Sequence, residues 1–371
     1  MIKPAFIIGT RPEAIKQLPL ILRFRKGRKY SPVVIATAQH REMLDQILRP
    51  FKIKADYDLD IMRENQSLPG LTSRLLEKID GVLKKCSPDM IFVQGDTTTT
   101  FISALAGFYR RIPVAHVEAG LRSFDKHNPY PEEINRKLAS VLADIHFAPT
   151  KSAADNLIGE GVDQKRVFVT GNTVLDALML ASSKKCAVPG LGPSDFRKRI
   201  VLVTVHRRES FGEGLRGIFG GIRDAARKRP DCLFVYPVHR NPNVRSLAGD
   251  MLGGVPNIRL LDPLEYVPFV SLMKRSFLIL TDSGGIQEEA PSLKKPVIVL
   301  RKVTERPEGV ERGLAVLAGT DSADIASVTL KLLDSPSVYK KMQAGKNPYG
   351  DGLAADRIYA VIDGYFSGGI K

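Results

Sequence analysis

The chain alternates short apolar, β-branched runs with helix-like segments over most of its length. Strands that alternate with helices are typical of parallel sheets with crossover helices, because each helix returns the chain to the same edge of the sheet. The runs fall into two sets of six, so the pattern predicts an α/β fold with two Rossmann-like domains. The predicted strands are residues 5–9, 33–36, 90–94, 114–118, 145–148 and 167–170 in the first set, and residues 200–205, 233–237, 258–261, 278–281, 297–300 and 316–318 in the second.

The gap between the two sets predicts the domain boundary. A length of 371 residues suits two domains of ordinary size. A helix-like segment at 171–181 is followed by a Gly/Pro-rich stretch at 187–195, which is typical of a linker. We therefore expect a first domain over residues 1–170 and a second over residues 171–351. Residues 352–371 carry apolar positions at helical spacing and are predicted to form a closing helix that packs on the first domain.

Composition narrows the class of protein. No window approaches the roughly 18 consecutive apolar residues of a membrane span, and the apolar start at 2–8 is too short for a signal peptide. The cysteines Cys86, Cys186 and Cys232 are odd in number, lie far apart and form no CxxC pair. This spacing argues against a disulfide framework and a zinc site. We expect a cytoplasmic protein that has no membrane partner and no metal site.

The formal net charge of +15 raises the question of a nucleic-acid partner. Nucleic-acid binding needs basic residues gathered on one face, usually with stacking aromatic residues between them. The sequence has neither such interleaving nor a basic low-complexity tail. The charge is better explained by solvated surface residues and by attraction of a small polyanionic substrate. We predict no nucleic-acid partner.

The first strand–helix crossing carries two cations where a dinucleotide fingerprint would carry glycines. Gly9 and Thr10 form a predicted turn, and Pro12 suits the first turn of the following helix. Ligands of doubly wound sheets bind at this edge, at the carboxyl ends of strands. Arg11 and Lys16 therefore favour a nucleoside diphosphate over a nicotinamide cofactor. An ordinary surface turn is the alternative interpretation of the same residues.

The second domain offers a predicted phosphate site. The strand at 278–281 is followed by Ser283, Gly284 and Gly285, and a helix then begins. Backbone N–H groups at such a turn bind phosphate without a side-chain charge, and Glu289 could accept hydrogen bonds from ribose hydroxyls. A helix cap with glycines for tight packing is the alternative. His206 follows the strand at 200–205 and could contact phosphate or transfer a proton.

The first domain supplies carboxylates at the ends of its strands. Asp96 follows the strand at 90–94, and Glu118 ends the strand at 114–118. Glu132 and Glu133 lie where a loop enters a helix, a position that N-terminal carboxylates also occupy for purely structural reasons. Several candidate acids and bases facing a diphosphate site predict proton transfer on a nucleotide-linked substrate.

Ten segments of the chain, spread from end to end, resemble the non-hydrolysing UDP-N-acetylglucosamine 2-epimerases. The resemblance implies a GT-B-type fold in which two Rossmann-like domains face a central cleft, usually in a cytoplasmic homodimer. It also implies interconversion of UDP-GlcNAc and UDP-ManNAc with no cofactor, neither NAD nor a metal. The segments are GTRPEAIK (9–16), TAQHREMLDQ (37–46), GDTTTT (95–100), HVEAGLR (116–122), PEEINR (131–136), GNTVLDAL (171–178), HRRESFG (206–212), TDSGGIQEEAPSL (281–293), TERPEGV (304–310) and NPYGDG (347–352).

The same resemblance implies roles for individual residues, and none of the implied catalytic positions is altered. Two rival activities stay open at this point: epimerisation of a UDP-diacetamido-uronic acid, and glycosyl transfer on the same fold. The implied catalytic residues are Asp96, Glu118, Glu132 and His206; the implied substrate-binding residues are Arg11, Lys16, Arg136, Phe269 (beside the uracil), Ser283, Gly284, Gly285, Glu289 and Arg306; and Gln39 and Glu42 lie where regulated members bind a second substrate molecule.

Overall fold

The structure is a computed structural model that describes residues 1–37, 41–61, 63, 66–207, 212–304 and 306–369. The chain divides into two compact units. Unit 1 consists of Met1–Leu180 together with Tyr349–Lys371, and unit 2 consists of Ala181–Pro348. Each unit is built around its own parallel sheet, as the alternation of strands and helices predicts.

In unit 1 the described residues form a sheet of seven strands in the order β3-β2-β1-β4-β5-β6-β7. The strands are β1 (Pro4–Ile8), β2 (Val33–Ala36), β3 (Tyr57–Asp58), β4 (Met90–Gln94), β5 (Val114–Val117), β6 (Ile145–Ala148) and β7 (Val167–Val169). The helices are α1 (Arg11–Lys26), α2 (Arg41–Leu48), α3 (Leu68–Cys86), α4 (Thr98–Tyr109), α5 (Glu132–Leu142), α6 (Lys151–Gly159) and α7 (Thr173–Ser182), the last of which ends in unit 2.

In unit 2 the described residues form a sheet of six strands in the order β10-β9-β8-β11-β12-β13. The strands are β8 (Arg199–Thr204), β9 (Cys232–Pro237), β10 (Ile258–Leu261), β11 (Leu278–Thr281), β12 (Val297–Val299) and β13 (Ala315–Leu317). The helices are α8 (Glu213–Lys228), α9 (Pro242–Leu252), α10 (Tyr266–Arg275), α11 (Gly284–Glu289), α12 (Pro307–Glu311), α13 (Ser322–Asp334) and α14 (Pro336–Ala344), and the closing helix α15 (Ala354–Phe366) belongs to unit 1.

One strand of unit 1 escapes the sequence analysis, which expects six strands there. Strand β3 has only two residues, and Tyr57 pairs in parallel with Ile35 of β2. Tyr57 is half-buried and Asp58 is exposed. A segment this short at the edge of a sheet has no apolar run, so no periodic pattern reveals it.

Both sheets follow the doubly wound order in which the first strand lies next to the fourth. The order reverses between β1 and β4 in unit 1, and between β8 and β11 in unit 2. At such a switch point the two adjacent crossovers run to opposite faces, which opens a crevice at the carboxyl ends of the strands. The turns after these four strands are therefore the places where each unit can hold a ligand.

The packing of unit 2 depends on glycine in one place. Helix α8 contacts helix α13 through Gly217, where an added Cβ would lie 2.3 Å from the backbone oxygen of Thr320. Real Cβ atoms do not approach an oxygen so closely, so only glycine allows this helix to approach the chain that enters α13. The core of unit 2 lies partly beneath this contact and includes Ile218, Phe219 and Ile325.

Helix α15 packs on helix α1 within unit 1. The ring of Tyr359 lies 5.0 Å from that of Phe24 and 5.4 Å from that of Tyr30, between ring centroids. Asp176 of helix α7 accepts hydrogen bonds from the backbone N–H groups of Ala354 (3.2 Å) and Ala355 (2.8 Å), which satisfies the first turn of α15. Within the ranges given above, no helix combines the length and apolar character that crossing a bilayer requires.

Candidate active site

The turns at the switch point of unit 1 bring together residues that are distant in sequence. Helix α1 begins at Arg11, and Thr10 caps it in a capping box with Glu13. Pro12 occupies the first turn, as the sequence predicts. The side chain of Lys16 lies one turn further along α1 and reaches the end of strand β5. Arg11 itself is half-buried at the start of the helix.

Glu118 follows strand β5 and is the centre of a polar cluster. Both of its carboxylate oxygens lie 2.6 Å from the Nζ atom of Lys16. Gln94, at the end of β4, donates its amide N–H to the same carboxylate, and Asn172 donates from 3.2 Å. Glu118 has a φ of 63°, in the left-handed region, a conformation that costs free energy in a residue other than glycine. Side chains from three separate parts of the chain thus hold this carboxylate in place.

Asp96 follows strand β4 and is paired with Arg136 of helix α5. Arg136 also donates to Glu133 over 3.2 Å. Burial raises the pKa of Asp96 above its usual value, and the neighbouring Glu118 raises it further, although the Arg136 guanidinium opposes both effects. A higher pKa favours the protonated form of this carboxyl group.

The two glutamates that begin helix α5 have different surroundings. Glu132 is half-buried at the first residue of α5. Glu133 is fully buried, and its carboxylate accepts the backbone N–H groups of Ser123 (3.0 Å) and Phe124 (3.2 Å). Glu133 therefore anchors the preceding loop rather than capping its own helix. Glu132 lies about one helical turn before Arg136, the residue that pairs with Asp96.

In unit 2 the turn after β8 is held by a carboxylate from the turn after β11. Asp282 is fully buried, and its Oδ2 atom accepts the backbone N–H groups of His206 and Arg207, each over 2.8 Å. Its Oδ1 atom lies 3.2 Å from the Nδ1 atom of His206. Desolvation lowers the pKa of His206, although Asp282 opposes this. An anionic ligand beside the ring would favour its protonated form.

The Ser283-Gly284-Gly285 turn begins helix α11. Ser283 is the N-cap, but its side chain makes no capping hydrogen bond. The Nη2 atom of Arg207 lies 3.7 Å from the position that a Cβ atom on Gly284 would occupy, so a cation borders the turn. Glu289 ends α11 and is 9% exposed. The predicted phosphate-binding turn, His206 and Arg207 are thus brought together at one edge of the sheet.

The remaining predicted ligand residues of unit 2 lie in two other elements. Arg306 is the N-cap of α12, and its Nε atom donates to Glu288 over 2.5 Å. Phe269 is half-buried in helix α10. Of the two predicted regulatory residues, Gln39 lies outside the described residues, and for Glu42 only the helical backbone of α2 is described.

Sequence reasoning missed three polar residues that contact the predicted site. Gln94 and Asn172 both donate to Glu118, and Glu13 accepts hydrogen bonds from two different turns. A signal was present for two of them, because Glu13 lies in the segment GTRPEAIK and Asn172 in GNTVLDAL, both of which carry the family resemblance. Gln94 is the last residue of a buried strand, and nothing in its local pattern distinguishes it from a core position.

Throughout the described ranges, no group of three His, Cys, Asp or Glu side chains has a geometry that could hold a metal ion.

Comparisons with known proteins agree on one family. Residues 23–363 match the family model described as UDP-N-acetylglucosamine 2-epimerase. A relative of that name from Yersinia pestis is 50% identical, with 96% of this chain and 97% of the relative covered. A solved structure from Listeria monocytogenes is 46% identical, has a TM-score of 0.93, and covers 99% of this chain and 97% of its own.

A second solved structure carries a ligand. It is the UDP-GlcNAc 2-epimerase from Neisseria meningitidis bound to UDP-GlcNAc, which is 47% identical to this chain, with a TM-score of 0.87 and 97% and 99% of the two chains covered. A match over 97% of this chain extends over both units. The fold is therefore that of these epimerases, two Rossmann-like units of the GT-B type, and the chain belongs to the UDP-N-acetylglucosamine 2-epimerase family.

Proposed function

We propose that this enzyme, an isomerase, interconverts UDP-GlcNAc and UDP-ManNAc by inverting C2 of the sugar. Family membership and relatives of about 50% identity support the epimerase activity, and the Neisseria structure supports a UDP-sugar substrate. The observation that carries the proposal is the pair of carboxylates at the switch point of unit 1. Asp96 and Glu118 each contact a cation there, and both lie at the carboxyl ends of neighbouring strands.

The chemistry explains why carboxylates are needed. C2 of the sugar is not adjacent to a carbonyl group, so its proton is barely acidic. If the C1–O bond to UDP breaks as a base removes the C2 proton, the electrons of the C2–H bond form a C1=C2 double bond. The products are 2-acetamidoglucal and UDP. Delivery of a proton to the opposite face of C2, with return of the UDP oxygen to C1, then gives the epimer.

We assign the proton transfers to Asp96, Glu118 and Glu132. An elimination and a re-addition on opposite faces need groups that can accept and donate protons on both sides of C2. Burial and the neighbouring Glu118 raise the pKa of Asp96, which is the direction that favours its protonated form. Lys16 and Arg136, which pair with Glu118 and Asp96, would balance the negative charge as the diphosphate approaches.

We assign the diphosphate to Arg11, His206 and the Ser283-Gly284-Gly285 turn. A departing diphosphate gains negative charge, so fixed donors aimed at it stabilise the transition state. Asp282 supports this assignment because it holds the backbone of His206 in place. Glu289, Phe269 and Arg306 complete the proposed nucleotide contacts, through the ribose, the uracil and the phosphates.

Product analysis in D2O tests this proposal. Wild-type protein incubated with UDP-GlcNAc should give UDP-ManNAc that carries deuterium at C2, as seen by NMR. Asp96→Asn, Glu118→Gln and Glu132→Gln should each slow turnover by about 100-fold or more, the usual scale for one general acid or base. Asp155→Asn, an exposed carboxylate on α6, is the matched control and should retain full turnover. Product without deuterium would refute the elimination mechanism.

The two rival activities give different outcomes in the same assay. A glycosyltransferase would neither exchange the C2 proton nor form UDP-ManNAc without an acceptor. An epimerase for a UDP-diacetamido-uronic acid would leave UDP-GlcNAc unchanged but would exchange C2 of the uronic acid. Because both sugars would use the same carboxylates, only the substrate comparison separates these two epimerases.

We also propose that the protein is a homodimer that forms through helix α5. Ile134, Leu138 and Val141 lie at helical spacing on α5 and are 39%, 40% and 81% exposed. A stripe of this kind on a helix that is otherwise packed in the unit suits contact with a second copy of the chain. Val141→Glu should convert the dimer to a monomer in analytical ultracentrifugation. The control Val303→Glu places the same charge at an apolar position of unit 2 that is 73% exposed, and it should leave the dimer intact.

Two further features belong to the proposed function. A cytoplasmic location is supported by the odd, widely spaced cysteines, which are typical of a reducing compartment. Activation by a second UDP-GlcNAc molecule near Gln39 and Glu42 stays a prediction from the family resemblance. It requires a sigmoidal dependence of rate on UDP-GlcNAc concentration, and a hyperbolic dependence would contradict it.

A further inference from the structure

Glu13 is a buried carboxylate that the proposed mechanism does not use. It is 2% exposed, and its Oε2 atom accepts the backbone N–H groups of Gly9 (2.5 Å) and Thr10 (2.7 Å) in its own turn. Its Oε1 atom accepts the hydroxyl of Thr97, and the hydroxyl of Thr100 lies 3.4 Å away. One side chain therefore joins the β1–α1 turn to the β4–α4 turn, which are 84 residues apart in the chain.

The partners of Glu13 among the described residues are all neutral. Burial raises the pKa of this carboxyl group, and the hydrogen bonds from the two turns oppose that effect. A buried carboxylate without a cation is costly unless its oxygens are fully hydrogen-bonded. Moving either turn would break some of these hydrogen bonds and leave a buried charge with too few donors. Glu13 therefore restricts the position of one turn relative to the other.

The space around Glu13 is closely filled. A Cβ atom on Gly9 would lie 2.5 Å from the Oγ1 atom of Thr99 and 3.1 Å from the Oε2 atom of Glu13. Thr97 is itself the N-cap of helix α4, accepting the backbone N–H of Thr100 over 3.1 Å. The hydroxyl of Thr97 thus fixes the start of α4 and contacts Glu13 at the same time. Asp96 is the residue immediately before it.

We propose that Glu13 is a positioning residue that sets Asp96 relative to Arg11 by bonding the two turns that carry them. This inference rests on the proposed function, in which Arg11 holds the diphosphate and Asp96 transfers a proton. The distance between these two groups must match the distance between the leaving oxygen and C2 of the substrate. A displacement of about 1 Å between reacting groups can cost about 100-fold in rate.

The test combines Glu13→Gln with changes at Thr97. Glu13→Gln keeps an oxygen for Gly9 and Thr10 but turns an amide NH2 group toward Thr97. We expect kcat for UDP-GlcNAc epimerisation to fall about 10- to 100-fold, with the UDP dissociation constant within about 3-fold of wild type. Thr97→Val should lower kcat to a similar extent, and Thr97→Ser, which keeps the hydroxyl, should restore it. Because Glu13 and Thr97 share one bond, their effects on kcat should be much less than multiplicative in the double variant.

Thr329→Val is the control for loss of a buried hydroxyl. Thr329 is fully buried in unit 2, and its hydroxyl donates to the backbone oxygen of Ile325 over 2.7 Å. Thr329→Val should lower thermal stability and leave kcat unchanged. The double variant with Glu13→Gln should therefore have the same kcat as Glu13→Gln alone. If the wild-type protein is active and both Glu13→Gln and Thr97→Val keep full kcat, the inference about Glu13 is wrong and the proposed function still stands. Wild-type protein that forms no UDP-ManNAc would overturn the proposed function together with the inference.

Discussion

The buried carboxylate of Asp176 makes the attachment of helix α15 dependent on pH. Asp176 is 6% exposed and caps the first turn of α15 through Ala354 and Ala355. Burial raises its pKa from 3.8 to about 6, although the two backbone hydrogen bonds oppose this. A pKa that is higher in the folded state than in the unfolded state means that protonation favours the folded state.

The expected magnitude follows from those two pKa values. Each pKa unit corresponds to about 1.4 kcal/mol, so ionising Asp176 destabilises the docked state by about 3 kcal/mol once the pH exceeds both values. The stability that protonated Asp176 gives to the docked helix is fully present below pH 3.8 and is lost as the pH rises through about 6. Between pH 4.5 and 7.5 the loss is about 2 kcal/mol, which corresponds to roughly a 30-fold change in the equilibrium for opening α15.

Hydrogen exchange of the α15 amides measures this opening directly, because undocking the helix exposes both its amides and Asp176. The ratio of protection in wild type to that in Asp176→Asn should fall about 30-fold between pH 4.5 and 7.5, since asparagine does not titrate. Comparing both proteins at each pH removes the intrinsic pH dependence of exchange.

Asp351→Asn is a control of opposite sign. Asp351 is an exposed partner of Arg357 on α15, and the hydrogen bond from that guanidinium lowers its pKa. A lowered pKa gives stability that is present at neutral pH and is lost as the pH falls. The ratio of protection in wild type to that in Asp351→Asn should therefore rise with pH. A wild-type to Asp176→Asn ratio that stays constant or rises between pH 4.5 and 7.5 would refute the reasoning about Asp176.

Three further predictions concern the site. Arg11→Ala should weaken UDP binding by about 1.5–3 kcal/mol in calorimetry, the range for a hydrogen bond to a charged group, and an unchanged affinity would place Arg11 outside the diphosphate site. Glu133→Ala leaves two backbone N–H groups and the Arg136 guanidinium short of an acceptor. It should lower the free energy of unfolding by about 3–5 kcal/mol in urea titration. A loss below about 1 kcal/mol would contradict the anchoring role. Epimerase activity should survive exhaustive dialysis against EDTA, and loss of turnover that one added divalent ion restores would contradict the predicted independence of metals.

Local patterns determine much of the architecture of this chain. Strand β1 is buried at every residue, so it appears in the sequence as an unbroken apolar run. All twelve predicted strands agree with the structure within one residue at each end. The doubly wound class follows from the alternation, because parallel strands require crossover helices. The sequence also places Asp96, Glu118 and His206 at the carboxyl ends of strands, where parallel sheets bind ligands.

Only the tertiary structure decided which side chains that are distant in the sequence contact one another. Lys16 meets Glu118 across 102 residues, and Glu13 meets Thr97 across 84. A periodic pattern reports which face of a segment is buried, but it carries no information about which polar side chain will lie opposite. The same reason explains the roles of Glu133 and Asp176, whose carboxylates are satisfied by backbone N–H groups of other segments. By itself the sequence determined the strands, their crossovers and the sheet edge that carries the candidate site. The folded chain decided which charges face one another there, because that depends on how all the turns pack together.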